Sequence, residues 1–320
     1  MNIQYKIFKP HLILLLSIVL KSTIAFSQLS GVITVGNNPN KSYDFQTIQS
    51  AFDSLHKVGV AGPITIKIDT GFYHEKVHIA SIPNVNQFNN IVVESLSPDS
   101  SQVVVYSSLN YIFEGVFTLD SIKHITIKNL TIKADIALGF GGIKYTILLL
   151  ATDSIYLFNN HIIANQSNGD SIIGILNNSN YCEIINNRIE DGLISIINGD
   201  NYPIPKNKII SHNFLINFSL IGIEGTQKCI ITQNKIHSDI GVLGISNTES
   251  ATIENNEIIN TQFGIHLLDN SPTLIYNNMV RMNRPNTKNS FLLVSSLSNT
   301  NVFFNTVFIE NGLNTSVTAP

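Results

Sequence analysis

One short string recurs along the C-terminal two thirds of this 320-residue chain, and it restricts the fold more than any other feature. It reads IKNLTI at 127–132, LFNNHI at 157–162, IINNRI at 184–189 and ISHNFL at 210–215. It continues as ITQNKI at 231–236, IENNEI at 253–258, IYNNMV at 275–280 and VFFNTV at 302–307. The fourth position holds Leu130, Asn160, Asn187, Asn213, Asn234, Asn256, Asn278 and Asn305, at spacings of 30, 27, 26, 21, 22, 22 and 27 residues. Three residues before it and two after it, every copy carries Ile, Leu or Val.

A repeat of that length means a solenoid, whose units cannot bury an apolar face alone and must stack. A leucine-rich repeat would place several Leu at fixed offsets, whereas these units are Ile-rich and β-branched. No sustained helical spacing is present; apolar residues alternate on both sides of a turn. The pattern therefore predicts two short strands meeting at an Asn corner. A third strand follows a Gly, as in GIKYTI (142–147), GIL (174–176), GLISII (192–197), GIEG (222–225), GIS (244–246) and GIHLL (264–268). Gly there suggests a bend feeding a buried strand. Rung length is expected to vary between the third strand and the next corner, so that loops project from one side. The fold class is all-β, a right-handed parallel β-helix solenoid with a short N-terminal capping helix.

Asn suits the corner because it tolerates the left-handed backbone region and carries two donors and an acceptor. Rungs about 4.8 Å apart let inward Asn side chains bond along the stack. Asn160, Asn187, Asn213, Asn234, Asn256, Asn278 and Asn305 are thus read as a structural ladder, with Leu130 at its edge. The same phase places Cys182 and Cys229, each five residues before its Asn, in one column two rungs apart with Lys208 between them. About 10 Å is beyond disulfide reach, so two separate, mostly buried thiols are expected.

Upstream of the repeat, DFQTIQSAFDSLHKV at 44–58 reads as an amphipathic helix, with Asp44 as cap and Ile48, Ala51, Phe52 and Leu55 on one face. Gly59 and Gly62-Pro63 stop it. ITIKI (64–68), YHEKVHI (73–79), NIVVES (90–95) and VVVYS (103–107) then read as strands. A helix here would cover an open sheet edge. At the start, Lys6 and Lys9 precede the apolar run Leu12 to Leu20, and Ala25 and Ser27 occupy the small positions before a cleavage point at Gln28. That is a secretory signal peptide; an uncleaved anchor is the alternative. The expected organisation is 1–27 signal peptide, 28–122 cap and first rungs, 123–310 repeat rungs and 311–320 tail. The tail shows no amphipathic helix or charged strand to close the stack, so the last rung is expected to be covered by the tail itself, by a partner or by a segment beyond this sequence.

The strings DFQTIQSAFDSL and GPITIKIDTGFYHEKVHI resemble the leading segment of the pectate-lyase/pectin-esterase β-helix superfamily, and more closely the β-helix module of bacterial secreted and surface proteins. With the later rungs, the resemblance spans about residues 40–310. It implies the fold, a secreted or cell-surface location and a polysaccharide or surface glycan as partner. It does not supply a catalytic set. The Asp-bearing strings of the esterases, the Asp cluster and Gly-His-Gly of the polygalacturonases, and the calcium-binding Asp cluster of the lyases are missing. Arg281-Met282-Asn283-Arg284-Pro285 is a faint echo of the lyases' Arg-rich string. Calcium would enter only on a lyase reading; otherwise no cofactor or metal is expected.

Outward positions after the corner give the candidate ligand-binding column Arg188, Glu190, Lys235, His237, Glu257 and Arg281, interrupted by Phe214, Ile216, Ile259 and Met279. His237 beside Lys235 is the most reactive-looking pair, and His237 and Arg281 are the weak catalytic candidates. Glu224, Ser246 and His266 share a phase on three successive rungs, yet rung spacing exceeds hydrogen-bond contact. Charged residues are only 13% of the chain, at a net charge of −3; with no basic patch, nucleic acid is not an expected partner. Nothing beyond the leader could span a membrane. Three functions fit: a non-catalytic binder of polysaccharide or another surface molecule, a divergent polysaccharide lyase, hydrolase or esterase, and a structural adhesin or spacer.

Overall fold

The computed structural model describes residues 28–109, 114–136, 144–164, 172–196, 208–224, 229–246, 250–267, 272–282, 290–294 and 300–309. Residues 1–27, expected from the sequence to be a signal peptide, and the 311–320 tail lie outside them. The chain winds into three long parallel sheets. In each rung a strand of the first sheet meets the Asn corner, a strand of the second sheet follows, and a strand of the third completes the turn. One such rung is Cys229–Thr232, Lys235–His237 and Leu243–Ser246. The first sheet runs from Leu29–Val35 to Asn301–Phe303, the second from Gly71–His74 to Thr306–Ile309, and the third from Val77–Ile79 to Ser290–Val294. The long strand Lys144–Phe158 crosses from the third sheet to the first, pairing with one through Leu150 and with the other from Asp153.

The repeat sets the core. Ile184, Ile210, Ile231, Ile253 and Ile275 are register partners in the first sheet, and all are fully buried. Ile189, Leu215, Ile236, Ile258 and Val280 form the matching buried row of the second. Each such side chain contributes about 1.5–3 kcal/mol by leaving water, and strand alternation sends its neighbours outward.

Several local expectations change. The left-handed residue is the one before the ladder Asn: Asn159, Asn186, His212, Gln233, Asn255, Asn277 and Phe304 all have φ between 51° and 56°. The ladder Asn is chosen for its amide, not its backbone freedom. Gly174, Gly222, Gly244 and Gly264 lie within the third strand rather than at a bend, whereas Gly192 directly precedes its strand and Gly142 lies outside the described residues. A Cβ on Gly244 would sit 2.6 Å from Ile258 Cγ2 and 2.7 Å from the Gly264 carbonyl, so glycine is there for close approach. Connections vary at two corners rather than one: 137–143 and 165–171 lie between the second and third sheets, 80–90 and 197–207 between the third and first.

The cap follows its apolar face but not its expected start. Helix α1, Ile48–Val58, buries Ile48, Ala51, Phe52 and Leu55 against the first strands. Its N-cap is Thr47, whose side chain accepts from Ser50 N, while Asp44 accepts from the Thr34 amide and hydroxyl instead. YHEKVHI breaks into Gly71–His74 and Val77–Ile79, with Glu75 at the break. The Glu75 carboxylate accepts from Ile48 N at 3.1 Å and Gln49 N at 3.0 Å, satisfying orphan amides at the positive end of the helix. Tyr73 is buried and donates to the Asp69 carbonyl at 2.7 Å. The GFYHE string therefore joins cap to stack.

Candidate functional site

The most abundant inward polar group is saturated. In each rung the Asn Nδ2 donates to the carbonyl three residues before the previous rung's corner and to the next Asn Oδ1. For Asn234 these acceptors are Ile210 O at 2.8 Å and Asn256 Oδ1 at 3.0 Å. Its own Oδ1 accepts from Asn213 N and Asn213 Nδ2, both at 3.0 Å. The column runs unbroken from Asn160 to Asn305 and ends on the Leu130 amide, which donates to Asn160 Oδ1 at 3.1 Å. Asn160 through Asn278 are buried and Asn305 is half-buried. Such a column has no capacity left for a ligand.

The second sheet holds all six outward candidates on one face, in two rows. Arg188, Phe214, Lys235, Glu257 and Met279 are register partners, as are Glu190, Ile216, His237, Ile259 and Arg281. Their charges compensate one another. Arg188 Nε donates to Glu190, and the Arg188 guanidinium lies 5.3 Å over the Phe214 ring. Lys235 Nζ is 3.1 Å from Glu257 Oε2, so it faces its neighbour on the next rung rather than His237. His237 Nε2 lies 3.4 Å from Asp239 Oδ1 and 3.4 Å from Asn260 Nδ2. Asp239 was not singled out in the sequence because it follows the strand. His237 and Arg281 are two rungs apart, separated by Ile259, and do not form a unit.

On the third sheet, Glu224, Ser246 and His266 are register partners as their phase predicts. Ser246 is buried, and burial lowers His266 below the usual imidazole range, favouring its neutral form. Among the described residues no group of three or more His, Cys, Asp or Glu is placed to hold a metal ion.

The first sheet carries a feature that the repeat did not reveal. A groove of about 710 Å³ crosses five of its rungs. Its lining includes the rings of Tyr156 and Tyr181, the apolar Ile209 and Ile230, and the polar groups of Glu183 and Thr252. At about 4.8 Å per rung it extends roughly 19 Å. Tyr181 and Ile230 are exposed, at 43% and 41%. Cys182 and Cys229 also border it, both nearly buried and not joined to each other. Lys208 lies between them in register, as its phase predicts. Lys208 shares the burial of its column: it is 0% exposed, and its Nζ has no hydrogen-bond partner in the protein. Burial pulls its ammonium down to about 8 and pushes the Cys229 thiol up to about 12.

No protein-family model matches the chain, and no curated protein matches it by sequence. Solved structures do. The Dettilon tailspike protein aligns at 12% identity and a TM-score of 0.51, over 87% of this chain and 62% of its own. A pectin methylesterase in complex with a hexasaccharide aligns at 12% identity and 0.48, over 72% and 80%. A lacto-N-biosidase from Eubacterium ramulus aligns at 8% and 0.39, over 88% and 68%. The likeness is one of fold: the chain is a right-handed parallel β-helix.

Proposed function

We propose that this chain binds polysaccharide, or another extended surface glycan, in the groove of the first sheet, without a catalytic step. The observation that carries this reading is the groove itself. It offers Tyr rings for stacking on sugar faces, Ser, Thr and Glu groups for hydroxyls, and a length suited to an extended chain. The alternative surfaces are less suited. The ladder is saturated inside the stack, and the second-sheet column spends its charges on internal pairs. The leader read from the sequence directs this binding to the outside of the cell. Among the described residues no helix is long and apolar enough to cross a membrane.

The test is a screen of the mature chain against acidic and neutral polysaccharides, reading both binding and unsaturated-product absorbance. Tyr156→Ala or Tyr181→Ala should weaken the best ligand about tenfold, or ~1.4 kcal/mol, while Lys235→Ala leaves it unchanged. Product formation lost in His237→Ala or Arg281→Ala would replace this reading with a lyase or hydrolase. Binding to no glycan would favour a spacer.

A further inference from the structure

Lys208 is a fully buried amine held between two thiols. Its strand, Lys208–Ser211, is hydrogen-bonded in parallel to Cys182–Ile185 on one side and Cys229–Thr232 on the other. Cys182, Lys208 and Cys229 are direct register partners, and all three side chains point inward. Adjacent strands are about 4.8 Å apart, so each sulfur column position is a nearest neighbour of the lysine stem. The two thiols are a rung too far from each other to pair. The amine has no hydrogen-bond acceptor at Nζ, and a buried ammonium without one is costly. An ordinary core would place an aliphatic residue at this position, as the neighbouring columns do with Ile.

We propose that Lys208 and one of its flanking cysteines are joined by a covalent nitrogen–oxygen–sulfur bridge, formed with dioxygen as the oxidant. In the step, one N–H bond and the S–H bond break, and N–O and O–S bonds form around a single inserted oxygen atom. The other oxygen leaves as water with the two hydrogens. Nitrogen and sulfur each give up two electrons, and dioxygen takes all four. Three observations favour this chemistry here. Burial keeps much of the amine unprotonated at mildly alkaline pH, which leaves its lone pair available. No protein group accepts a hydrogen bond from the nitrogen. Both cysteines border the groove although their thiols are buried, so only the wall of one strand separates the column from solvent that carries dioxygen. The product ties two rungs together and replaces a buried ammonium with a weakly basic nitrogen, so the bridged form should melt at a higher temperature than the reduced one.

The test is mass spectrometry of the full chain, purified in air and compared before and after a thiol reductant. The expected result is a mass gain of one oxygen less two hydrogens that the reductant reverses. Digestion should yield a peptide containing Lys208 linked to one containing Cys182 or Cys229. Lys208→Met and the double variant Cys182→Ser, Cys229→Ser should each lose the gain. Peptide mapping of the unaltered chain decides the matter even if a variant fails to fold. Gain of a whole oxygen on cysteine with Lys208 unlinked, loss of two hydrogens in a Cys182–Cys229 disulfide, or no change would each overturn the proposal.

Discussion

Two polar columns run up the inside of the same stack, and they are built in opposite ways. The Asn column gives every amide a donor and an acceptor partner on neighbouring rungs. The Cys182–Lys208–Cys229 column inserts an amine with no acceptor between two thiols. Both are buried, one in the strands of the first sheet and the other at the corner that follows them. The difference shows that burial alone does not make a polar residue structural. A complete network strengthens a core because each member would otherwise leave several neighbours unsatisfied, whereas an incomplete one carries a cost that must be offset elsewhere.

Breaking the complete column should have the largest effect. Asn234→Ala removes the side-chain donor to Ile210 O and Asn256 Oδ1 and the acceptor of both the Asn213 amide and the Asn213 side chain at once. Denaturant unfolding should show a loss of about 3 kcal/mol; an unchanged midpoint would mean that the ladder is not formed. Asn305→Ala acts at the half-buried end, where Asn278 is the side-chain neighbour whose Nδ2 and amide lose an acceptor. A smaller loss, about 1 kcal/mol, is expected by the same measurement. The outward column should respond least. Lys235→Ala removes only a solvent-exposed pair with Glu257, and its unfolding free energy should stay within about 0.5 kcal/mol of the parent.

How much of this was legible follows from where each residue sits relative to the repeat. The ladder could be read because every rung carries its own Asn at the same offset from two apolar residues. The outward rows could be read by alternation, and the pairing of Lys235 with Glu257 was implicit, since both follow their ladder Asn directly. The phase also put Lys208 between the cysteines. Its burial followed from that same phase, since both register partners were expected as buried thiols; the Nζ left without an acceptor did not. The helix cap was read as Asp44, the stronger capping residue by type; Thr47 takes that place because tertiary contact with Thr34 occupies the Asp44 carboxylate. The groove escaped because its lining comes from five rungs at positions outside the six-residue string, such as Tyr181 and Ser250. A surface assembled across rungs has no signature within any one of them.

The most direct test of the contrast is the pH dependence of stability in Lys208→Met against the parent, with thiol reductant present throughout. The buried amine titrates at about 8 when folded, against 10.5 ordinarily. The unfolded chain therefore binds the proton more tightly, and the parent should gain stability as pH rises from about 8 to about 10.5, by ~3 kcal/mol in all. Met keeps the apolar stem without the charge. The expected result is that Lys208→Met is the more stable protein at pH 7 and that its advantage shrinks steadily through this window. A variant no more stable than the parent at pH 7, or a gap that does not change with pH, would contradict an unpaired charge in that column.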